Sequence, residues 1–164
     1  MSTHPVLILT SAAALGAAAV GGLFYAFSTF TMRGLNRTEP ADAITAMRGI
    51  NAEAQANAPF LVMFVGSSVL ALAVAVVAVA QWHQPGSTYL LAGAALSVLS
   101  LLITIAFNVP LNNRLDALDP AGLSAADAAR EWAAYYGPWT AWNHLRTAAP
   151  LVGAVLLQIG FCYR

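Results

Sequence analysis

Gln81-Trp82-His83-Gln84-Pro85-Gly86-Ser87 sits inside a stretch, Ala54 to Asn113, that contains no Asp, Glu, Lys or Arg. Its turn residues divide that stretch into two apolar runs, each near the length of about 20 residues that a helix needs to cross a bilayer. Met1–Met32 and Thr147–Tyr163 are likewise free of Asp, Glu, Lys and Arg. The 164 residues are 59% hydrophobic and 9% charged, against about 25% charged in a soluble domain. The chain therefore reads as an all-α integral membrane protein. Residues 1–164 form one domain of four transmembrane helices, with spans of roughly 6–28, 59–80, 89–107 and 139–161.

All seven basic residues are Arg. Arg33, Arg37 and Arg48 follow the first span, Arg114, Arg130 and Arg146 lie between the third span and the start of the fourth, and only Arg164 is on the other side. Six against one is a positive-inside signal. It predicts both termini and the 81–88 turn outside and both long loops in the cytoplasm, with the bacterial inner membrane as the location. The first span has no Lys or Arg before it and is longer than a signal-peptide apolar core, so it reads as a retained helix. One cysteine, Cys162, excludes an intrachain disulfide. Zero net charge argues against nucleic acid as a partner.

The loops read as amphipathic helices. Thr38 is placed to cap a helix with Glu39 and Pro40 in its first turn, and Ile44, Met47, Asn51, Ala54 and Ala58 share one face of it. In the second loop, Ser124 and Asp127 have capping-box spacing. Trp132, Tyr135 and Tyr136 follow as an aromatic surface for the membrane interface, and Gly137-Pro138 is expected to end that helix before the fourth span. An offset of 80 aligns Ala26-Phe27 with Ala106-Phe107, Leu35 with Leu115 and Pro40-Ala41 with Pro120-Ala121. A duplicated span, loop helix and span would produce this, as would chance between Ala-rich helices.

Against this plain background two clusters stand out: Phe107-Asn108-Val109-Pro110-Leu111-Asn112-Asn113-Arg114 and Trp139-Thr140-Ala141-Trp142-Asn143-His144-Leu145-Arg146-Thr147. Amides, imidazole and guanidinium beside a membrane core need partners or a purpose. Asn108 and Asn112 share a face, and Thr104 extends it. Trp139, Trp142, Asn143, Arg146 and Pro150 follow i, i+3, i+4, i+7 spacing, with His144 beside them. Pro110 and Pro150 free the carbonyls of Ala106 and Arg146. Tyr25, Ser28 and Thr29 add hydroxyls, and Asn51, Gln55 and Asn57 add amides. Every one of these groups is predicted at the cytoplasmic end of its helix, where they can line one pocket for a flat, amphiphilic ligand.

Each piece also has a plainer account: the Asn residues as interhelical glue, Trp139 and Trp142 as interface anchors, Arg146 as a snorkelling side chain, His144 as a structural histidine. Some chemistries are discounted. The spans hold no Glu-x-x-His for a di-iron site, no histidine pair for bis-histidine haem, no zinc ligand set and no acid for proton-coupled transport. No phosphate-binding glycine loop is present.

Ala26-Phe27-Ser28 after a Gly-rich first span, Ile50-Asn51, Phe107-Asn108-Val109-Pro110-Leu111-Asn112-Asn113 and Trp139-Thr140-Ala141-Trp142-Asn143-His144-Leu145-Arg146-Thr147 resemble the DUF1772, or anthrone oxygenase, family of small four-helix membrane proteins. The resemblance implies the fold. It also implies that fungal members' oxidation of anthrones to anthraquinones, with molecular oxygen and without metal or flavin, is the activity to consider. On that basis no cofactor is expected, and the partners are an aromatic hydrophobic small molecule, O2 and membrane lipids. His144 would be the general base. Asn108, Asn143 and Arg146 would donate hydrogen bonds to an enolate oxygen, Trp139 and Trp142 would stack on the rings, and Asn112, Asn51, Tyr25 and Ser28 would complete the pocket. The competing expectations are a non-catalytic lipid- or quinone-binding protein and a purely structural subunit. The Ala- and Gly-rich face of the first span permits close helix contact within the bundle or in a homo-oligomer.

Overall fold

The computed structural model describes residues 3–164, with side chains from residue 5; the His4 side chain, expected to face outward, falls outside the described residues. Five helices carry the chain: α1 Pro5–Leu35, α2 Pro40–Ala56, α3 Ala58–Ala80, α4 Ser87–Asp116 and α5 Ala125–Cys162. Among the described residues there is no strand. Four of the helices, α1, α3, α4 and α5, are long and apolar enough to cross a membrane. They form an up-down-up-down ring in which α5 packs on α1 and α4, and α3 packs on the same two. Every neighbouring pair is thus antiparallel.

The burial pattern is that of a lipid-solvated bundle. Ile8, Leu15, Val62, Val69, Val76 and Val155 are exposed, whereas Thr10, Ser67, Ser68, Ser97 and Ser100 are buried. With no hydrophobic force between helices in lipid, small residues that let backbones approach take the interfaces. A Cβ on Gly93 would stand 2.8 Å from the Gly153 carbonyl oxygen, and one on Gly153 would stand 2.8 Å from the Gly93 oxygen. Here α4 and α5 touch backbone to backbone. Next to this contact Ala71, Val74, Ala78, Leu90, Ala94 and Leu157 form the core of the end bearing the short 81–86 turn.

The opposite end, where α2 lies, has a different core. Met32, Ile44, Met47, Leu115, Trp132, Tyr135 and Trp139 pack into one cluster. Ile44, Met47 and Asn51 are the buried face of α2, as their spacing predicts; Ala58 instead begins α3. The Ser124 hydroxyl accepts from the Asp127 amide at 3.2 Å, the N-cap half of the expected capping box, and donates to the Asp127 carboxylate at 2.8 Å in place of the reciprocal backbone bond.

Three local expectations are corrected. Thr38 does not cap α2: its hydroxyl donates to the Leu35 carbonyl at the end of α1, and Glu39 occupies the N-cap position without a side-chain bond. Trp132 and Tyr135 are not an interfacial surface but are 4% exposed each, tied inward by Trp132 Nε1 to Asn36 Oδ1 and by Tyr135 OH to Asn112 Oδ1. Gly137-Pro138 does not end a helix: α5 runs unbroken for 38 residues, about 57 Å at 1.5 Å per residue. Pro138 removes only the donor to the Ala134 carbonyl. Ala134, Gly137 and Pro138 are all exposed there, so the stranded carbonyl is not shut inside the fold. The first third of α5 therefore projects beyond the apolar span and carries the aromatic core against α2.

Both chain halves place a π-helical turn near this end, Phe27–Thr31 in α1 and Thr104–Asn108 in α4. A π turn inserts one residue into the helix and is common at functional sites. In α4 it lies directly before Pro110, whose missing N–H was expected to disturb the ladder at Ala106. Buried Ser28 and Asn108 sit in these two turns.

Candidate functional site

Between α1, α2, α3 and the facing parts of α4 and α5 lies a cavity of about 730 Å3. Its walls are mostly apolar and include Phe24, Phe27, Met47, Phe60, Phe64 and Trp139. The polar lining groups are Asn51, Glu53, Gln55, Asn57, Thr104, Asn112 and Arg146. The volume falls in the range of small-molecule sites, about 300–1,000 Å3.

Arg146 is the centre of the arrangement. It is 5% exposed, and no carboxylate pairs with it; the ion pairs among the described residues are Arg114–Glu131 and Arg130–Asp127. Its guanidinium carbon stands 4.0 Å from the Phe24 ring centre and 4.8 Å from that of Trp139. Nε donates to Asn143 Oδ1 at 2.9 Å and Nη1 donates to Thr104 Oγ1 at 3.2 Å. The remaining N–H groups have no partner among the described residues and belong to a side chain that lines the cavity.

Behind Arg146 the polar groups are consumed. Asn143 Nδ2 donates to the Phe24 carbonyl at 2.9 Å and to Ser28 Oγ at 2.8 Å, and Ser28 Oγ lies 3.2 Å from Thr147 Oγ1. Asn143 and Ser28 therefore position Arg146 and do not face the cavity. The Arg146 carbonyl, freed by Pro150, is satisfied by Ser100 Oγ at 2.8 Å, the repair that neighbouring Ser side chains supply in membrane helices. Asn108, fully buried, donates to the Trp139 carbonyl at 3.2 Å, and its Oδ1 is unpartnered.

The second polar wall is set by the indole of Trp139 and the phenol of Tyr135. Both donate to Asn112 Oδ1, at 2.8 and 3.0 Å. An indole N–H can only donate, so the amide oxygen of Asn112 accepts both bonds and its NH2 has no partner among the described residues. On α2, Asn51 Nδ2 is buried without a partner. The cavity wall thus carries unclaimed donors on two elements: the Arg146 guanidinium and the Asn112 amide.

The structure brings Asn51, Asn112, Trp139 and Arg146 onto the cavity wall and puts Asn108, Asn143 and Ser28 immediately behind it. Three expected site residues are not brought there. His144 is exposed and does not line the cavity; one residue past Asn143, it is rotated by 100° out of the facing sector. Trp142 is stacked on Phe107 at 3.6 Å between ring centres, on another flank of α5. Tyr25 is 57% exposed. The sequence reading missed Phe24, Phe60, Phe64 and Glu53. Glu53 had a signal: it lies three residues from Ile50 and four from Asn57, and both also line the cavity.

The anthrone oxygenase family model matches residues 60–156, more than half of the chain. The chain belongs to the anthrone oxygenase family. The matched region runs from the start of α3 through most of α5 and includes Asn108, Asn112, Trp139, Asn143 and Arg146. In this family member the part of the cavity built by α1 and α2, with Asn51 and Glu53, lies before the matched region. No curated protein and no solved structure matches the chain.

Proposed function

We propose that this membrane protein is a cofactor-independent oxygenase. Its substrate is an anthrone-like polycyclic phenol held in the cavity with its oxygens on Arg146 and Asn112. One observation carries this reading: on these two wall residues the polar groups left unclaimed are hydrogen-bond donors, and one belongs to a buried cation with no ion-pair partner among the described residues. A buried guanidinium without a counter-charge is costly. A ligand bearing an enolate or phenolate oxygen supplies the missing charge, and Trp139 and the Phe24, Phe60 and Phe64 rings suit a flat aromatic body.

The chemistry balances without a redox cofactor. Loss of a proton from the methylene of an anthrone gives an enolate whose charge rests on the carbonyl oxygen, where Arg146 stabilises it. The electron-rich carbon reduces O2 and joins it as a peroxide, which takes up a proton. Loss of the second methylene hydrogen as a proton, with cleavage of the O–O bond, leaves the quinone carbonyl and water. Purified protein in lipid should consume O2 with anthrone faster than anthrone alone consumes it, and should place one atom of 18O2 in the anthraquinone. Uptake at the spontaneous rate would remove this reading. A neutral quinone also fits a site made of donors, so a non-catalytic quinone-binding protein is the second reading. It is favoured by a quinone that copurifies with protein lacking turnover.

The cavity reaches the lipid-facing surface at Leu23 and Leu61, which line it and are 36% and 38% exposed. A membrane-dissolved substrate would arrive there. Leu61→Trp should raise the KM for anthrone in liposomes several-fold with kcat retained; a lowered kcat at unchanged KM would place the access route elsewhere. Six of the seven arginines lie at this end of the bundle or just inside it, which supports its facing the cytoplasm.

A further inference from the structure

Glu53 is the only acid on the cavity wall, and no histidine or cysteine lines it. It is exposed at the cavity edge, and its Oε1 accepts from Asn57 Nδ2 at 3.1 Å. Asn57 is itself fixed, because its Oδ1 accepts from the Phe60 amide at 2.9 Å and so caps α3. The carboxylate is therefore anchored through one oxygen by a side chain that starts the next helix, and its second oxygen has no partner among the described residues. A buried guanidinium and a carboxylate share this cavity, yet no ion pair joins them. Here they line one cavity unpaired, and Glu53 is already held by Asn57.

We infer that Glu53 is the base of the reaction proposed above, an assignment that rests on that proposal. The free oxygen of Glu53 takes a proton from the methylene carbon of the bound anthrone. The C–H bond breaks, its electron pair passes into the ring system, and the charge comes to rest on the carbonyl oxygen at Arg146. Because Glu53 is exposed, the proton it gains leaves to water. General-base catalysis of this kind contributes about 10²–10⁴-fold, and separating the cation from the base lets each act on its own end of one substrate. Exposed His144, off the cavity wall, has no such access.

The step can be read without oxidation. Under anaerobic conditions in D2O, the protein in liposomes should speed exchange of the anthrone methylene protons, followed by NMR. Glu53→Gln keeps the shape and the acceptor for Asn57. It should slow the catalysed exchange by about 100-fold, leave affinity for the product anthraquinone unchanged, and be partly rescued by Glu53→Asp. Exchange by Glu53→Gln at the parent rate would overturn the assignment, as would no exchange by the parent above empty liposomes. Glu53-dependent exchange without O2 uptake in air would keep Glu53 as a base and defeat only the oxygenase proposal.

Discussion

Arg146→Met is expected to lose ligand affinity and turnover by about 100-fold or more while the protein keeps its thermal stability within about 1 kcal/mol. The two effects separate because the guanidinium is poorly compensated in the fold alone. In its favour stand two side-chain hydrogen bonds, to Asn143 and Thr104, and the faces of Phe24 and Trp139. Against it stands a desolvation penalty of several kcal/mol with no carboxylate to offset it. Methionine removes both sides of that balance and fills a similar volume. The ligand has no such exchange to make: a charge-assisted bond is worth about 1.5–3 kcal/mol, and Arg146 offers more than one free donor. Stability can be followed by thermal unfolding in lipid and affinity by quenching of the protein's tryptophan emission with anthraquinone. A large fall in stability with unchanged affinity would make Arg146 a packing residue.

Gly153→Val is expected to destabilise the bundle by about 3 kcal/mol or to prevent its assembly. A Cβ at this position would lie 2.7 Å from Ser97 Oγ and 2.8 Å from the Gly93 carbonyl oxygen, so the α4 backbone itself must retreat. Separation of α4 from α5 would also pull Ser100 from the Arg146 carbonyl, linking this contact to the site. Gly66, with nothing within 4 Å of its would-be Cβ, is the matching control; Gly66→Ala should be neutral or stabilise by up to about 1 kcal/mol. Equal stabilities for the Gly153 and Gly66 variants would contradict the backbone contact described here.

The spans, the Ser124–Asp127 cap and the role of Pro150 were legible in the sequence, because each depends on local chemistry: absence of charge, a three-residue spacing, a missing N–H. Convergence of Asn51, Asn112, Trp139 and Arg146 was legible too, since turn and charge signals put them at one end of the bundle. What failed was azimuth. Trp142 and His144 lie within five residues of Trp139, Asn143 and Arg146, yet only the position of α1 and α4 around α5 decides which sector of that helix faces the cavity. The π turns at Phe27–Thr31 and Thr104–Asn108 add to the error, because an inserted residue shifts the helical spacing, and Tyr25 precedes such a turn whereas Ser28 lies within it. Gly137-Pro138 misled for a different reason: proline removes one donor and crowds one carbonyl, and at exposed Ala134 that carbonyl is not shut inside the fold.

Ligand oxygens resting on the donors of Arg146 and Asn112 would be visible in infrared difference spectra of 13C-carbonyl anthraquinone bound in liposomes. The carbonyl stretch should lie at lower frequency than in lipid alone and return towards the lipid value in Arg146→Met. A stretch identical to that of anthraquinone dissolved in the bilayer, in parent and variant alike, would contradict this placement.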